Sequence, residues 1–120
     1  MRKLLIVIAI SAALSACAVS PSAPPWAAHV SYDGQWVEVL DVRTWHSANT
    51  GMELMLRIKS NAFMDRTIRY RVLWYTEDGR PIKTLLGKWN ERLLKPGQSI
   101  DITESSPGPK AADYRIEIED

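Results

Sequence analysis

The chain has few of the residues from which most catalytic and metal sites are built. Its 120 residues include one cysteine and two histidines, and its formal net charge is only +1. One cysteine excludes an internal disulfide, and near neutrality removes the electrostatic case for a nucleic-acid partner. His29 and His46 have no companions at the spacing of a metal site, so both are expected to be solvated histidines, and no phosphate-binding glycine loop occurs. The sequence therefore predicts a protein that is not an enzyme and binds no metal.

A membrane-spanning helix is not favoured either. The apolar run over residues 4–19 is shorter than the roughly 20 residues that cross hydrocarbon, and Ser11 and Ser15 interrupt it. Arg2 and Lys3 precede an apolar stretch at residues 4–13, and small residues follow, which is typical of a signal peptide. We expect residues 1–16 to be removed, which changes the formal net charge to −1.

The residues Leu14-Ser15-Ala16-Cys17 resemble the lipobox of bacterial lipoproteins. This resemblance implies that Cys17 is the lipidation site and the first residue of the mature protein. An odd cysteine in an exported chain needs a role, and a covalent lipid on Cys17 supplies one. Because Ala18 rather than Asp follows, the resemblance implies an outer-membrane anchor that faces the periplasm. The alternatives are a transmembrane helix and ordinary cleavage near Ala16, which would leave a free thiol.

The rest of the chain divides by composition into a tether and one folded domain. Residues 17–34 contain Pro21, Pro24 and Pro25 among Ser and Ala, and they lack any apolar period, which indicates a tether. From residue 35 to residue 120, short segments alternate apolar and polar side chains. No long segment of helical period follows the signal peptide. The pattern predicts an all-β, immunoglobulin-like antiparallel sandwich of six to seven strands, with a small barrel as the alternative.

The strand candidates are residues 36–42, 52–59, 68–75, 99–103 and 114–119, with weaker candidates at 85–89 and 92–94. Glu38 and Asp41 break the alternation of the first segment, which indicates a bulge. Residues 44–51 are expected to form a polar turn, while Asp78-Gly79 and Pro96-Gly97 mark sharp turns. In the third segment Trp74 falls on the predicted core face.

Several of these segments resemble one family. The residues concerned are Tyr70-Arg71-Val72-Leu73-Trp74-Tyr75, Asp78-Gly79, Trp89, Pro96-Gly97-Gln98-Ser99 and Tyr114-Arg115-Ile116. Together with the lipobox they resemble the YcfL-like periplasmic lipoproteins, which have no assigned biochemical role. The resemblance implies a sandwich fold and an outer-membrane lipoprotein, and it supplies no catalytic residues.

Aromatic and basic side chains form the candidate binding surface. Trp26, Trp36 and Trp45 lie near the tether or in predicted loops, where exposed rings can contact a sugar or a protein. The alternative is that they close the ends of the sandwich. Arg69 and Arg71 point outward by parity and can offer a cationic face. The alternative for them is a solvated strand face opposite acidic residues of the last strand, Glu117 and Glu119.

We therefore expect a non-enzymatic outer-membrane lipoprotein that acts as a periplasmic protein-binding or assembly accessory module. Its expected partners are the membrane, through the anchor, and an envelope protein. The alternative is a peptidoglycan-binding or other glycan-binding module that uses the exposed tryptophans. No nucleic acid and no cofactor other than the lipid on Cys17 are expected.

Overall fold

The computed structural model describes residues 23–49, 51–83 and 88–120. A short 3-10 helix at Ala27–His29 precedes seven strands in this part of the chain. They are β1 (Val30–Asp33), β2 (Val37–Ser47), β3 (Gly51–Ser60), β4 (Arg66–Tyr75), β5 (Asn90–Leu94), β6 (Ser99–Ser105) and β7 (Asp113–Glu119). The predicted signal peptide, Cys17 and residues 85–87 of one weak strand candidate lie outside the described residues.

The strands form two sheets, one with the order β1-β7-β4-β5 and one with the order β2-β3-β6. Strand pairs are antiparallel except β1 with β7, which run parallel. The two sheets pack face to face, so the predicted β-sandwich is confirmed.

The sandwich has two distinct ends. The entry end holds residues 23–29, the turn after β4 and the chain between β6 and β7. The far end holds the β1–β2 connection, the turns after β3 and β5, and the C-terminal Asp120. The described chain therefore begins at one end of the molecule, and the β3–β4 turn lies at the other.

The core forms because β3 and β4 alternate as their sequences predict. Leu54, Leu56 and Ile58 of β3 face Ile68 and Val72 of β4, and all are buried. Trp74 is only 2% exposed, which confirms its predicted place on the core face. Full burial of such apolar side chains stabilises the fold by roughly 1.5–3 kcal/mol each.

The predicted turn and bulge are also present. Gly97 has φ +73°, and the Gln98 amide donates to the Lys95 carbonyl at 3.0 Å, as Pro-Gly in a tight turn requires. In β2 the register against β3 shifts between Val39 and Asp41, which is the predicted bulge.

Two boundaries differ from the predictions. The predicted tether extends to residue 34, but Val30–Asp33 pairs with β7, because β7 has a free edge on which four extended residues find backbone partners. The predicted polar turn at residues 44–51 is also wrong over its first half. There the β-forming Thr44 and Trp45 continue β2 and pair with Leu54 and Glu53.

Candidate docking surface

Two adjacent apolar side chains project from the turn between β3 and β4. Phe63 is 91% exposed and Met64 is 66% exposed. The segment lies at the far end of the sandwich, where the apolar alternation of β3 has ended. Two large apolar neighbours in a turn expose surface that water solvates poorly, so such a segment marks an interaction site when a pocket lies beside it.

The backbone around this turn is held by hydrogen bonds rather than left loose. The Ser60 amide donates to the Gln98 carbonyl at 2.9 Å, and the Asn61 amide donates to the Trp36 carbonyl at 2.8 Å. The Ala62 amide donates to Ser60 Oγ at 3.2 Å, and Ala62 itself is buried. Because the turn is fixed up to residue 62, the next two side chains are directed away from the core.

The C-terminal Asp120 positions the other side of the surface. Its carboxylate accepts hydrogen bonds from the amides of Gln35 at 3.2 Å and Trp36 at 2.8 Å, and also from the Tyr32 hydroxyl. The Tyr32 hydroxyl oxygen in turn accepts from the Val37 amide at 2.8 Å. Burial, followed by the bond to Asp120, raises the pKa of Tyr32 to about 12.

Gly34 makes this arrangement sterically feasible. Its φ is +151°, and a Cβ at this position would lie 2.1 Å from a carboxylate oxygen of Asp120. The positive φ favours glycine here, and the missing Cβ lets the β1–β2 connection lie directly against the Asp120 carboxylate. The connection between β1 and β2 thus fixes the position of Trp36, directly before β2.

A shallow apolar pocket completes the surface. Its volume is about 130 Å³, comparable to a cavity that holds one benzene-sized group. The Arg66 guanidinium lies 4.7 Å from the centre of the Trp36 ring, which is cation–π geometry. We call this set of lining residues the apolar end surface: Trp36, Ala62, Phe63, Met64 and Arg66.

The predicted cationic face has a different character. Arg71 Nε lies 2.6 Å from Glu117 and Arg69 Nη1 lies 2.8 Å from Glu119, so the predicted opposition to these acidic residues is confirmed. The Trp89 ring covers both guanidinium groups, with centroid distances of 5.0 Å to Arg69 and 4.5 Å to Arg71. These cations already have partners within the protein.

The three tryptophans proposed as a binding surface are not brought together. Trp26 is half-buried and packs against the core at the entry end, whereas Trp36 is half-buried at the far end. Trp45 is 43% exposed and lies on the outer face of the three-stranded sheet, near the entry end. Trp36 and Trp45 are nine residues apart along an extended chain, a separation of roughly 30 Å.

The entry end carries a wider and more polar cleft of about 620 Å³. It is lined by His46, Thr76, Glu77, Asp78 and residues 109–112. Across the described residues, no group of three or more His, Cys, Asp or Glu side chains is arranged to hold a metal ion. In the same part of the chain, no helix has the length and apolarity needed to cross a bilayer.

His29 differs from the sequence prediction of a solvated histidine. Its Nε2 lies 3.0 Å from Asp113 Oδ1, and its ring stacks on Tyr114 with a centroid distance of 4.4 Å. The cause is the extra strand β1, which draws the preceding helix onto the start of β7. His29 therefore helps to attach the N-terminal segment to the sandwich.

Sequence reasoning missed the residues that dominate the exposed apolar surface, Phe63 and Met64. A signal was present, because the single phenylalanine of the chain stands beside a methionine in the short segment between the strand candidates 52–59 and 68–75. Trp26 and Trp36 are half-buried, so these larger aromatic rings are less exposed than Phe63.

The fold and this surface define a small β-sandwich with one apolar end and a charged, internally paired sheet face. Residues 27–120 match the model of a family described as a protein of unknown function, DUF1425. The chain belongs to the DUF1425 family.

Two solved structures share the fold. A DUF1425 family member from Shewanella sp. pv-4 is 23% identical, with a TM-score of 0.63 over 70% of this chain and 77% of that one. Campylobacter jejuni cj0090 is 19% identical, with a TM-score of 0.65 over 76% of this chain and 96% of that one. No curated protein sequence matches this chain. The comparisons therefore supply a family and a fold, and the function has to be argued from the residues.

Proposed function

We propose that the protein is a lipid-anchored, non-enzymatic accessory module of the cell envelope that binds a partner protein through its apolar end surface. The observation that carries this proposal is the near-complete exposure of Phe63 next to a preformed apolar pocket. Binding sites on protein partners typically place a few apolar or aromatic anchors at the centre of the contact. Phe63 and Met64 supply such anchors.

The anchor in this proposal is the lipid on Cys17, which places the protein at the periplasmic face of the outer membrane. Its support is the lipobox Leu14-Ser15-Ala16-Cys17 and the resemblance to YcfL-like lipoproteins. The described chain begins at the entry end, opposite the apolar end surface. An anchor attached there leaves the apolar end surface uncovered.

A partner protein fits this surface better than the membrane does. Asp65 follows Met64 directly, and a carboxylate beside the anchors opposes insertion into an anionic lipid surface. The pocket admits a single side chain of the partner, and Arg66 at its rim can pair with an acidic group while it covers Trp36. We therefore propose a partner that presents one apolar side chain next to an acidic residue.

The test is an in-cell pull-down after reversible chemical crosslinking of the full chain. We expect a discrete envelope protein with the wild type, and its loss with the double substitution Phe63→Ser and Met64→Ser. Leu93→Ser is the matched control, because Leu93 is 57% exposed on the outer face of the four-stranded sheet and does not line the pocket. Equal recovery with the double variant would contradict the proposal.

Two further samples separate the components of the proposal. Cys17→Ser should release the protein from the membrane fraction and leave recognition by the apolar end surface intact in the periplasm. Sedimentation of the full chain with peptidoglycan, lost in Trp36→Ala or Trp45→Ala, would instead favour the glycan-binding alternative.

A further inference from the structure

Strand β2 presents a long hydrogen-bonding edge. It is a terminal strand of its sheet, and within the described residues it pairs only with β3. It spans 11 residues, whereas the other edge strands β1, β5 and β6 span 4, 5 and 7. After the bulge, residues 41–47 follow β3 in regular register, so alternate backbone amides and carbonyls of this run point away from the sheet. Such an edge is a template for another strand.

The side chains along this run are self-complementary. Arg43 and Trp45 both lie on the outer face of the sheet, opposite Met55 and Glu53 of β3, and both are exposed. They flank Thr44. If a second β2 runs antiparallel with Thr44 opposite Thr44, then Arg43 of each copy stands directly opposite Trp45 of the other.

We propose that two copies of this chain pair edge to edge through β2, antiparallel and centred on Thr44. A two-fold axis through Thr44 relates the copies, and their three-stranded sheets join into one sheet of six strands. Two-fold symmetry makes every contact occur twice, as isologous interfaces do. This inference does not depend on the partner or the anchor proposed above.

The chemistry of the contact suits both side chains. Arg43 donates from Nε to Asp41 at 2.8 Å, which uses one edge of the planar guanidinium. The flat face of the group stays free to stack on Trp45 of the second copy, since cation–π contact and edge-on hydrogen bonding use different directions. The Asp41–Arg43 pair also neutralises charges that would otherwise repel an incoming strand. The Thr44 side chains can hydrogen-bond across the axis.

The arrangement is compatible with anchoring in one membrane. An axis perpendicular to the joined sheet places both four-stranded sheets on the same side of the dimer. Because β1 belongs to the four-stranded sheet, both N-terminal segments depart from that side. A contact of seven paired residues is small compared with stable dimer interfaces, so we expect a weak association that anchoring on a surface strengthens.

The test is oxidative crosslinking in cells with Thr44→Cys in the full chain that keeps Cys17. Directly opposed strand residues have Cα atoms about 4.5–5.5 Å apart, which lies inside the range of disulfides. We expect a disulfide-linked dimer on a non-reducing gel. Thr103→Cys, at an exposed position of the opposite edge strand β6, is the matched control and should stay monomeric, as should the unsubstituted chain.

The register has its own test. In the proposed pairing, the two Arg43 positions lie diagonally, about 7–8 Å apart, beyond disulfide reach, so Arg43→Cys alone should not crosslink. Crosslinking of Thr103→Cys to the same extent, or none with Thr44→Cys, would overturn the proposal. Crosslinking with Arg43→Cys but not Thr44→Cys would overturn the Thr44-centred register.

A substitution away from the engineered cysteine tests the chemistry. Trp45→Ala in the Thr44→Cys chain removes two exposed cation–π contacts, so self-association should weaken about 5- to 30-fold and the dimer band should fall. Glu38→Ala, exposed on β2 before the bulge, is the control and should leave the band unchanged. An undiminished dimer with Trp45→Ala would overturn the Arg43–Trp45 contact. If the crosslinked product contains a different protein instead of a second copy of this chain, the edge binds another chain and the proposal fails.

Discussion

The outer face of the four-stranded sheet and the apolar end surface expose their side chains in opposite ways. On the sheet face, Arg69 and Arg71 are conspicuous in the sequence, but Glu119, Glu117 and Trp89 already satisfy them. On the apolar end surface, Phe63 has no comparable cover. Charged residues that look available in a sequence are often paired within the fold. An external partner gains the most binding free energy from side chains that the fold itself leaves uncovered.

The same sandwich core supports both regions. The largest expected effect on stability is therefore common to both. Trp74→Ala should lower the free energy of unfolding by roughly 3–5 kcal/mol, because it empties a large site between the sheets. Thermal unfolding followed by circular dichroism measures the loss. Trp45→Ala is the matched control, with an expected change within about 0.5 kcal/mol for an exposed ring. Equal melting temperatures for the two variants would contradict the assignment of the core.

The next-largest effect concerns partner binding at the apolar end surface. Phe63→Ser should weaken partner binding by about 2 kcal/mol or more, as truncation of a central anchor does. It should leave the melting temperature almost unchanged, since the side chain contributes little to the core. Quantitative crosslinking yield and thermal unfolding together check this. A large fall in melting temperature would mean that Phe63 is structural.

A smaller effect tests the paired face. Arg71→Ala removes the contacts with both Glu117 and Trp89, and we expect a loss of about 1 kcal/mol or less that shrinks in high salt. Arg57→Ala is the control, because Arg57 lies on the other sheet, where it pairs with Asp101 at 2.8 Å. Urea unfolding at two salt concentrations measures both. A weakened partner interaction in Arg71→Ala would show that the charged face also binds.

The smallest effect is a pH dependence of stability near the edge strands β5 and β6 of the two sheets. Burial raises the pKa of Glu104, whose carboxylate lies close enough to Tyr70 to raise the pKa of that phenol as well. An acid with a raised folded-state pKa destabilises the fold as pH rises from its ordinary value through the raised one. Glu104→Gln should therefore raise the melting temperature more at pH 7 than at pH 4. An equal effect at both pH values would contradict the burial of the carboxylate.

Much of the fold could be predicted because its signals are local. Alternation identified β3, β4 and β7, Pro96-Gly97 identified a turn, and Glu38 with Asp41 indicated the bulge in β2. The added strand β1 could not be predicted, since four residues after a proline-rich stretch become a strand only where β7 offers an edge. Its pairing is a long-range event that leaves no local period.

The candidate site was less predictable for a related reason. Trp36 was identified, but its position depends on hydrogen bonds to Asp120, 84 residues away in sequence. Phe63 and Met64 lie in a turn where periodicity carries no information. Whether a turn residue is exposed depends on the contacts that fix the turn. Here the fixing contacts are backbone hydrogen bonds to Gln98 and Trp36, which come from other parts of the chain.

The most direct test of binding through the apolar end surface places a photo-reactive amino acid at position 63 and, in a second strain, at position 115. Arg115 is exposed on the charged sheet face, so the two positions report the two regions compared above. We expect a discrete crosslinked partner from position 63, reduced by Met64→Ser, and none from position 115. The same partner from position 115 alone would contradict this expectation and would place recognition on the charged face.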